Sequence, residues 1–536
     1  MSTAQPRPVA QIFCRRVERD YPKSPCASSD HGFLIASHVR QTGLSGSKSV
    51  SHLDIHIHPG GAVHVGRDVY ENDVAIPDDW VSRRQFVVYS IVYENDNTMP
   101  PLVYVRDCDS LSGTFVDDRS SPSLKKLSSS SGHLLSHDEV IIIHPFWEFH
   151  VCLLGNQASG PCRNHPPSGE VDLLLHRNLR VTNRVLGYGG FAVVHLAVNT
   201  NTGRQLACKI HNIRYLKRGM PGLVARVLNE TNILSRLSHP NLLQFEAAFR
   251  SCDTLYTFTE LATGGDLFSL QLQYADGLPE MDMKVILFQI LSGVSHLHAQ
   301  NVVHRDLKPE NVFLATGPQV SRVILGDFGF AKVKKIGRLE SRVGTREFMA
   351  PEIYLSCSHD SKADIWSIGM LALFLAAVDW ETAPNLVQLD QDGVNAYLTT
   401  AFGALVADNR GLSENLEEFL RSCLNVDPCQ RMTAEDCTNH KWFSSDDRFL
   451  RKRVRELTRG WMPTSIVSNS VEDLDTPPTD EHGEGIGQRA QNSPYFTGVE
   501  YARVQRQNSR NVVRVAPELQ LTPATQESIS NDIYDV

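Results

Sequence analysis

The sequence predicts a multi-domain protein: an all-β sandwich, then a two-lobed α+β fold in which a small sheet lobe precedes a helical one, then a disordered C-terminal tail. Three observations carry this prediction. Short β-rich segments separated by turn residues fill 33–154. From Val171 strands come first and helical periodicity then takes over. After Pro463 large apolar residues become scarce, while Ser, Thr, Asn, Gln, Pro and acidic residues dominate.

Composition sets the outer bounds. A chain of 536 residues, 41% hydrophobic and 21% charged, can bury two ordinary cores and still carry a solvated tail. A formal charge of −9 argues against a protein that coats nucleic acid, so protein partners are expected and direct nucleic-acid binding is not. The 11 cysteines show no repeated short spacing, and Cys152 and Cys208 sit in apolar runs. Reduced thiols in an intracellular compartment are expected, rather than a disulfide frame or a zinc site. The N-terminus lacks a basic region followed by an apolar stretch, and no run approaches the length of a membrane span. A soluble protein is expected.

Within the sandwich the strand candidates begin at Leu53, Gln85, Leu102, Glu139 and Glu148, each apolar or β-branched in character. A linker rich in Gly, Pro, Ser and Asn spans 155–170. The two-lobed fold is assigned to 178–443, a basic helix or extension to 444–462, and the disordered tail to 463–536.

The chemistry lies in the two-lobed part. His304-Arg305-Asp306-Leu307-Lys308-Pro309-Glu310-Asn311, followed by Asp327-Phe328-Gly329, orders a carboxylate, a lysine and two oxygen ligands as phosphoryl transfer requires. Asp306 is the candidate base that orients a substrate hydroxyl, and Lys308 neutralises the transferring oxygens. Asn311 and Asp327 are candidate ligands for Mg2+. Upstream, Leu186-Gly187-Tyr188-Gly189-Gly190-Phe191-Ala192-Val193-Val194 lies between two strand-like segments and can fold over phosphates. Lys209 on the next strand but one reaches toward the α and β phosphates, and Glu230 on an amphipathic helix is its expected anion. Any one of these residues alone would more often cap a helix, make a turn or stand on the surface. Their joint order makes a phosphotransferase the better reading.

From about Val181 to Phe443 the chain resembles the eukaryotic serine/threonine protein kinases. Ala350-Pro351-Glu352, Asp364-Ile-Trp-Ser-Ile-Gly369 and Arg431 match in order, and the resemblance implies a buried Glu352–Arg431 bridge. It implies ATP as cosubstrate, with Leu186, Gly187, Gly189 and Val194 over the nucleotide. Thr259 would be the gatekeeper, and the backbones of Glu260 and Ala262 the adenine contacts. Asp266 would face the ribose and, with Glu310, present two carboxylates to an Arg three residues before the phosphoacceptor. Lys308-Pro309-Glu310 implies a Ser/Thr acceptor over Tyr. Arg305 beside the candidate base implies control through the activation segment, where Ser341 and Thr345 are the regulatory candidates. A structural role for Thr345 is as well supported as phosphorylation.

A second resemblance covers the sandwich. Val65-Gly66-Arg67, Ser82-Arg83-Arg84-Gln85, Ser110-Leu111-Ser112-Gly113-Thr114 and the Leu134–Val140 stretch form an ordered series similar to the forkhead-associated (FHA) domain. The resemblance implies binding of phosphothreonine peptides through Arg67, Ser82, Arg83 and Ser112. Two positions depart from the family pattern: Gln85 replaces a histidine, and Ser112 replaces an asparagine that contacts the peptide backbone. The first is expected to change loop support, the second affinity or residue preference.

An FHA module ahead of a kinase is the architecture of the checkpoint-type kinases, including a fungal meiosis-specific branch. The chain has no Ser-Gln and only Thr525-Gln526, which favours the meiotic branch over the DNA-damage branch. The resemblance implies docking on phosphorylated partners, dimerisation for activation in trans, and residence in the nucleus, shared in part with the cytoplasm. The basic stretch 448–461 reads as a solvated helix on the large lobe, with nuclear import, an inhibitory helix and a calmodulin target as alternatives. A calmodulin-regulated kinase and a catalytically silent scaffold are the competing functions.

Overall fold

The computed structural model describes residues 7–17, 34–35, 53–93, 100–118, 124–154, 168–189, 191–219, 221–274, 276–333, 339–340, 346–355, 358–376, 389–407, 412–463 and 471–474. Ser341 and Thr345 lie outside them, as does Gly190.

The N-terminal domain is a sandwich of two six-stranded sheets. Its facing surfaces meet through Ile12, Ile55, Val65, Phe86, Val88, Val103, Val105, Ile141 and Phe149, all at most 6% exposed. Inward residues alternate with outward ones along Trp147–Leu153, as expected of a strand with one solvated face. The sandwich takes in a strand, Ala10–Arg16, upstream of the expected start at residue 33. This corrects the boundary. The strand lies between Leu53–Ile57 and Trp147–Leu153, paired antiparallel with both. Its inward face is carried by only Ala10, Ile12 and Cys14, too short an alternation to stand out.

The small lobe is a sheet in the order Leu179–Tyr188, Ala192–Asn199, Gln205–Asn212, Thr254–Glu260 and Phe245–Arg250. Helix Pro221–Leu234 carries Glu230. At the edge of this sheet Glu472–Asp473 adds a parallel strand beside Phe249–Arg250. The expectation of a wholly disordered tail from residue 463 is therefore corrected at 471–474. The expected linker also ends sooner than residue 170, because a helix begins at Ser168.

The large lobe is built around helices Glu280–Ala299 and Lys362–Leu375, both buried along most of their length. Asp364, Trp366, Arg431 and Trp442 are among its fully buried side chains. Helix Asp447–Leu457 packs on the lobe through Leu450, which is fully buried, with Val454 and Leu457 beside it, while its arginines remain outside. The bridge implied by resemblance is present: both Arg431 guanidinium ends meet Glu352 at 2.7 and 3.0 Å, with little exposure on either side. The guanidinium also donates to the carbonyls of Asn425 and Lys362 and lies over Trp366 at 5.2 Å. Replacing Glu352 by Ala would leave a buried cation uncompensated. We expect Glu352→Ala to lower unfolding stability by about 3–5 kcal/mol in urea titration, in contrast to less than about 1 kcal/mol for the exposed Arg421–Glu417 pair.

Candidate active site and phosphopeptide face

Strand pairing places the first part of the cleft. Val194 is registered against Lys209, and Gly187 against Val194, so the glycine-rich hairpin lies over the lysine strand. Gly189 N–H closes the hairpin turn onto Ala192 O at 2.8 Å. Lys209 Nζ reaches Glu230 Oε1 at 2.6 Å and Asp327 Oδ1 at 3.7 Å. Burial in the cleft works against the lysine's charge, but Glu230 and then Asp327 more than offset it and hold its pKa above the ordinary value. Burial raises Glu230 despite the lysine. Asp327 is held below the usual range, because Lys209 and the Gly329 amide outweigh its burial. The three groups form one electrostatic unit.

The second part is the catalytic loop. Asp306 is buried, and Asn311 Nδ2 donates to its carbonyl at 2.7 Å and to its carboxylate at 2.9 Å. Lys308 Nζ stands 3.9 Å from the same carboxylate. The side-chain oxygen of Asn311 and the carboxylate of Asp327 are hard-oxygen donors of the kind that suits Mg2+. Gly326 N–H donates to Asn311 O at 2.9 Å, and the His304 ring meets Gly326 O at 3.0 Å. Backbone contacts thus join the loop of Asp306 to the turn of Asp327.

Arg305 and Asp327 hold left-handed backbone conformations, at φ of +73° and +52°. Such conformations are rare outside glycine and cost on the order of 1–3 kcal/mol each. Asp364 holds the first in place: its buried carboxylate accepts the N–H of His304 at 3.0 Å and of Arg305 at 2.8 Å, with His298 Nε2 at 2.8 Å. The carboxyl lies below its usual pKa because His298 and these amides outweigh desolvation. Its motif was visible in the sequence, but its grip on the loop was not. Arg226 is a further residue that sequence reading missed. It donates to Gly329 O and places its guanidinium 3.5 Å from the Phe330 ring centre, tying the helix of Glu230 to the turn after Asp327.

At the hinge Thr259 is nearly buried. Glu260 turns its side chain to Arg322 at 2.5 Å and to the Gln244 amide at 2.9 Å, and its own N–H donates to Gln244 O at 3.0 Å. Asp266 caps helix Leu267–Gln271 by accepting from Ser269 N–H at 2.7 Å and Ser269 Oγ at 2.6 Å. Burial, with a contribution from nearby Glu310, pushes its pKa up to about 6. The two carboxylates expected to share a basic substrate residue are therefore neighbours in charge.

The sandwich seats against this hinge. Leu186, Leu196 and Leu261 join Tyr89, Ile91, Tyr104 and Leu134 in one apolar cluster. Tyr89 Oη and Gly132 N–H both donate to Thr263 Oγ1, at 3.3 and 3.0 Å. Arg106 donates to Gly317 O at 3.3 Å, and the Gln205 side chain pairs with both backbone groups of Leu134. A Cβ on Gly132 would lie 2.4 Å from the Tyr89 hydroxyl, so only glycine fits there. The domain thus touches both lobes across the hinge.

On the sandwich, three loops come together. Arg67 N–H donates to Ser82 O, and Asp68 N–H to Arg83 O. Ser82 Oγ accepts from Leu111 N–H at 2.9 Å. Arg67 pairs with Asp79 at 3.1 Å, and Arg83 with Asp68 at 3.0 Å and Glu71 at 3.3 Å, all near the surface. The Tyr70 amide and Arg83 hold the Asp68 carboxyl below its usual range. Gln85 supports these loops from beneath: fully buried, it accepts from Ser82 N–H at 2.8 Å and donates to Gly113 O and Thr114 Oγ1, both at 3.1 Å. Ser112 Oγ reaches Gln85 Oε1 at 3.4 Å.

A lysine–glutamate pair over a catalytic loop, in a cleft between a sheet lobe and a helical lobe, defines the protein-kinase class of phosphotransferase. Comparison with known proteins agrees. A model of the protein kinase domain matches residues 180–443, and one of the FHA domain matches 63–144. The meiosis-specific serine/threonine-protein kinase mek1 of Schizosaccharomyces pombe is 31% identical over 386 residues, which are 69% of this chain and 79% of that protein. The calcium/calmodulin-dependent protein kinase cmkA of Emericella nidulans is 33% identical over 311 residues, 57% of this chain and 72% of its own. The type I calcium/calmodulin-dependent protein kinase of S. pombe is 34% identical over 286 residues, 52% and 82% respectively. The chain belongs to the serine/threonine protein kinases that carry an FHA domain, and it is related to the meiotic kinase mek1.

Asp364→Asn should keep the fold but release one of the loop amides; a kcat lower by about 10²-fold with near-wild-type thermal unfolding is the expected result. Gln85→Leu leaves Ser82 N–H and Gly113 O without their buried partner, and should destabilise the sandwich by about 1–3 kcal/mol in chemical denaturation. It should also weaken capture of a phosphothreonine peptide, measured by fluorescence anisotropy.

Proposed function

We propose that this kinase is recruited through its FHA domain to phosphothreonine-containing partners and phosphorylates Ser/Thr substrates with Arg three residues before the acceptor, in meiotic recombination or checkpoint signalling in the nucleus. The observation that carries the catalytic part is the Lys209–Glu230 pair at 2.6 Å, formed over a loop in which Asn311 holds Asp306. In this reading Asp306 takes the acceptor hydroxyl's proton toward its carboxylate while Lys308, at its side, neutralises charge developing on the transferred oxygens. Asn311 and Asp327 would hold Mg2+, which supplies further neutralisation of the phosphate oxygens. Lys209 orients the ATP phosphates, and Glu230 keeps the lysine extended.

Kinship with mek1 supports the meiotic setting. The FHA loops support recruitment: Arg67 pairs with the exposed Asp79, and Arg83 with the half-buried Asp68 and the exposed Glu71, carboxylates that a phosphate dianion can displace. Dimerisation for activation in trans follows if the partner carries more than one phosphothreonine. A second reading, calmodulin regulation, has one observation in its favour, the basic helix Asp447–Leu457 on a kinase domain similar to calmodulin-dependent enzymes. A pull-down on calmodulin with and without calcium distinguishes the two.

Transfer of labelled phosphate to an Arg-containing peptide should be abolished by Asp306→Asn, and a wild-type chain that transfers none would reject the catalytic reading. Asp266→Asn together with Glu310→Gln should flatten the peptide-array preference for Arg. The raised pKa of Asp266 adds a pH signature. Its ionised form binds the arginine and predominates above about pH 6, so KM for the Arg peptide should climb as pH falls through 6. A Lys209-dependent but pH-flat KM between pH 5.5 and 7.5 would remove Asp266 from substrate recognition.

A further inference from the structure

Beyond the large lobe, the chain returns to the small one. Helix Asp447–Leu457 fixes it to the large lobe through Leu450, and Gln244 Nε2 donates to Met462 O at 3.1 Å. It is next described at Val471, on the edge of the small-lobe sheet. There Glu472 and Asp473 pair with Phe249 and Arg250, and Leu474 N–H donates to Arg250 O at 2.7 Å. Backbone pairing alone is unselective, because an open edge offers N–H and C=O groups to any extended segment. The flanking side chains make this contact specific.

Leu474, 2% exposed, completes a cluster with Leu174, Leu179, Val181, Phe249, Tyr256 and Phe258. Val471 belongs to two other clusters at once. One holds Ile213, Leu216, Val227 and Leu255, and the other reaches Ile233, Leu234 and Leu237. Val227, Ile233 and Leu234 stand on helix Pro221–Leu234, three or four residues from Glu230. Between the two apolar residues, the Glu472 carboxylate forms an ion pair with Arg177, whose guanidinium also lies 5.5 Å from the Phe249 ring centre. The groove thus offers chemistry that matches Val471, Glu472 and Leu474.

We propose that 471–474 is a docked strap, and that Val471 and Leu474 are positioning residues for phosphoryl transfer. By packing against apolar clusters that include residues from both halves of helix Pro221–Leu234, and by covering the edge beside Phe249–Arg250, the strap holds Glu230 against the sheet that carries Lys209. The groove is a docking site whose occupant is this chain's own segment. The claim about catalysis rests on the kinase reading above, whereas the docking claim does not.

The test uses the full chain carrying Val471→Asp and Leu474→Asp. KM for ATP should rise by about fivefold or more, with KM for the peptide substrate unchanged, and amide exchange should accelerate along residues 221–234. A fluorescent peptide spanning 468–477 should bind this variant in trans and restore KM for ATP, while the same peptide with both Asp substitutions should do neither. Because the double variant removes buried side chains, a charge swap provides the second arm. Glu472→Arg should impair, and Arg177→Glu with Glu472→Arg should recover. Unchanged KM and unchanged helix exchange in the variant, or a swap that fails to recover, would overturn the proposal. If the wild-type chain transferred no phosphate, the kinase reading would fall while peptide binding and amide exchange still judged the strap.

Discussion

One buried carboxylate organises the catalytic half of this protein. Asp364 has almost no exposed surface, yet it stays ionised because His298 and the amides of His304 and Arg305 converge on it. Those amides can point the same way only because Arg305 adopts φ of +73°, a conformation the chain would otherwise leave. The strain and the hydrogen bonds offset one another, and the result is a loop with one shape. Asp306 and Asn311 inherit their positions from it, and through Gly326 so does Asp327. Removing the carboxylate would not delete any group that touches substrate, but it would leave those groups unplaced.

The small lobe solves a different problem, since its charges must be held without a buried staple. Burial works against the charge of each of Lys209, Glu230 and Asp327, and their mutual attraction outweighs it for Lys209 and Asp327 but not for Glu230. Two carboxylates around one ammonium leave the group net anionic, which suits a site that is to receive a cation together with a polyphosphate. The pairing depends on where helix Pro221–Leu234 sits. Arg226 ties that helix to Gly329 and Phe330 on one side, and the apolar clusters containing Val227 and Ile233 tie it on the other. Helix placement, rather than the acid–base pair alone, sets whether the lobe is competent.

Much of this was legible in the sequence because phosphoryl transfer needs particular residue types in chain order. Lys209, Glu230, Asp306, Asn311 and Asp327 stand in motifs of fixed order along the chain, and the structure gathers them in one cleft. Contacts between distant segments were not legible. Nothing in Ser82-Arg83-Arg84-Gln85 shows that Gln85 reaches Gly113, and nothing around Thr263 shows that a tyrosine of another domain will donate to it. Segments with thin apolar patterning were missed for a related reason. Ala10–Arg16 buries three side chains and 471–474 only Leu474, and both segments are ordered by the sheets they join rather than by their own periodicity.

The seat of the sandwich on the hinge bears on how recruitment can reach the cleft. The residues that make the seat, Tyr89, Ile91, Arg106, Gly132 and Leu134, are not those of the phosphate loops, and Arg67 and Arg83 keep 43% and 69% of their side-chain surface exposed. A phosphopeptide can therefore be captured without breaking the seat. Yet the two surfaces are connected: strand Phe86–Ile91 follows directly on Gln85, which supports the phosphate loops, and ends at Ile91, whose Cγ2 lies 2.9 Å from where a Cβ on Gly265 would be. Gly265 precedes Asp266, so one strand runs from the phosphopeptide loops to the mouth of the nucleotide cleft. Because the seat grips Gln205 in the small lobe and Thr263 and Gly317 beyond the hinge, it resists relative motion of the lobes for as long as it holds.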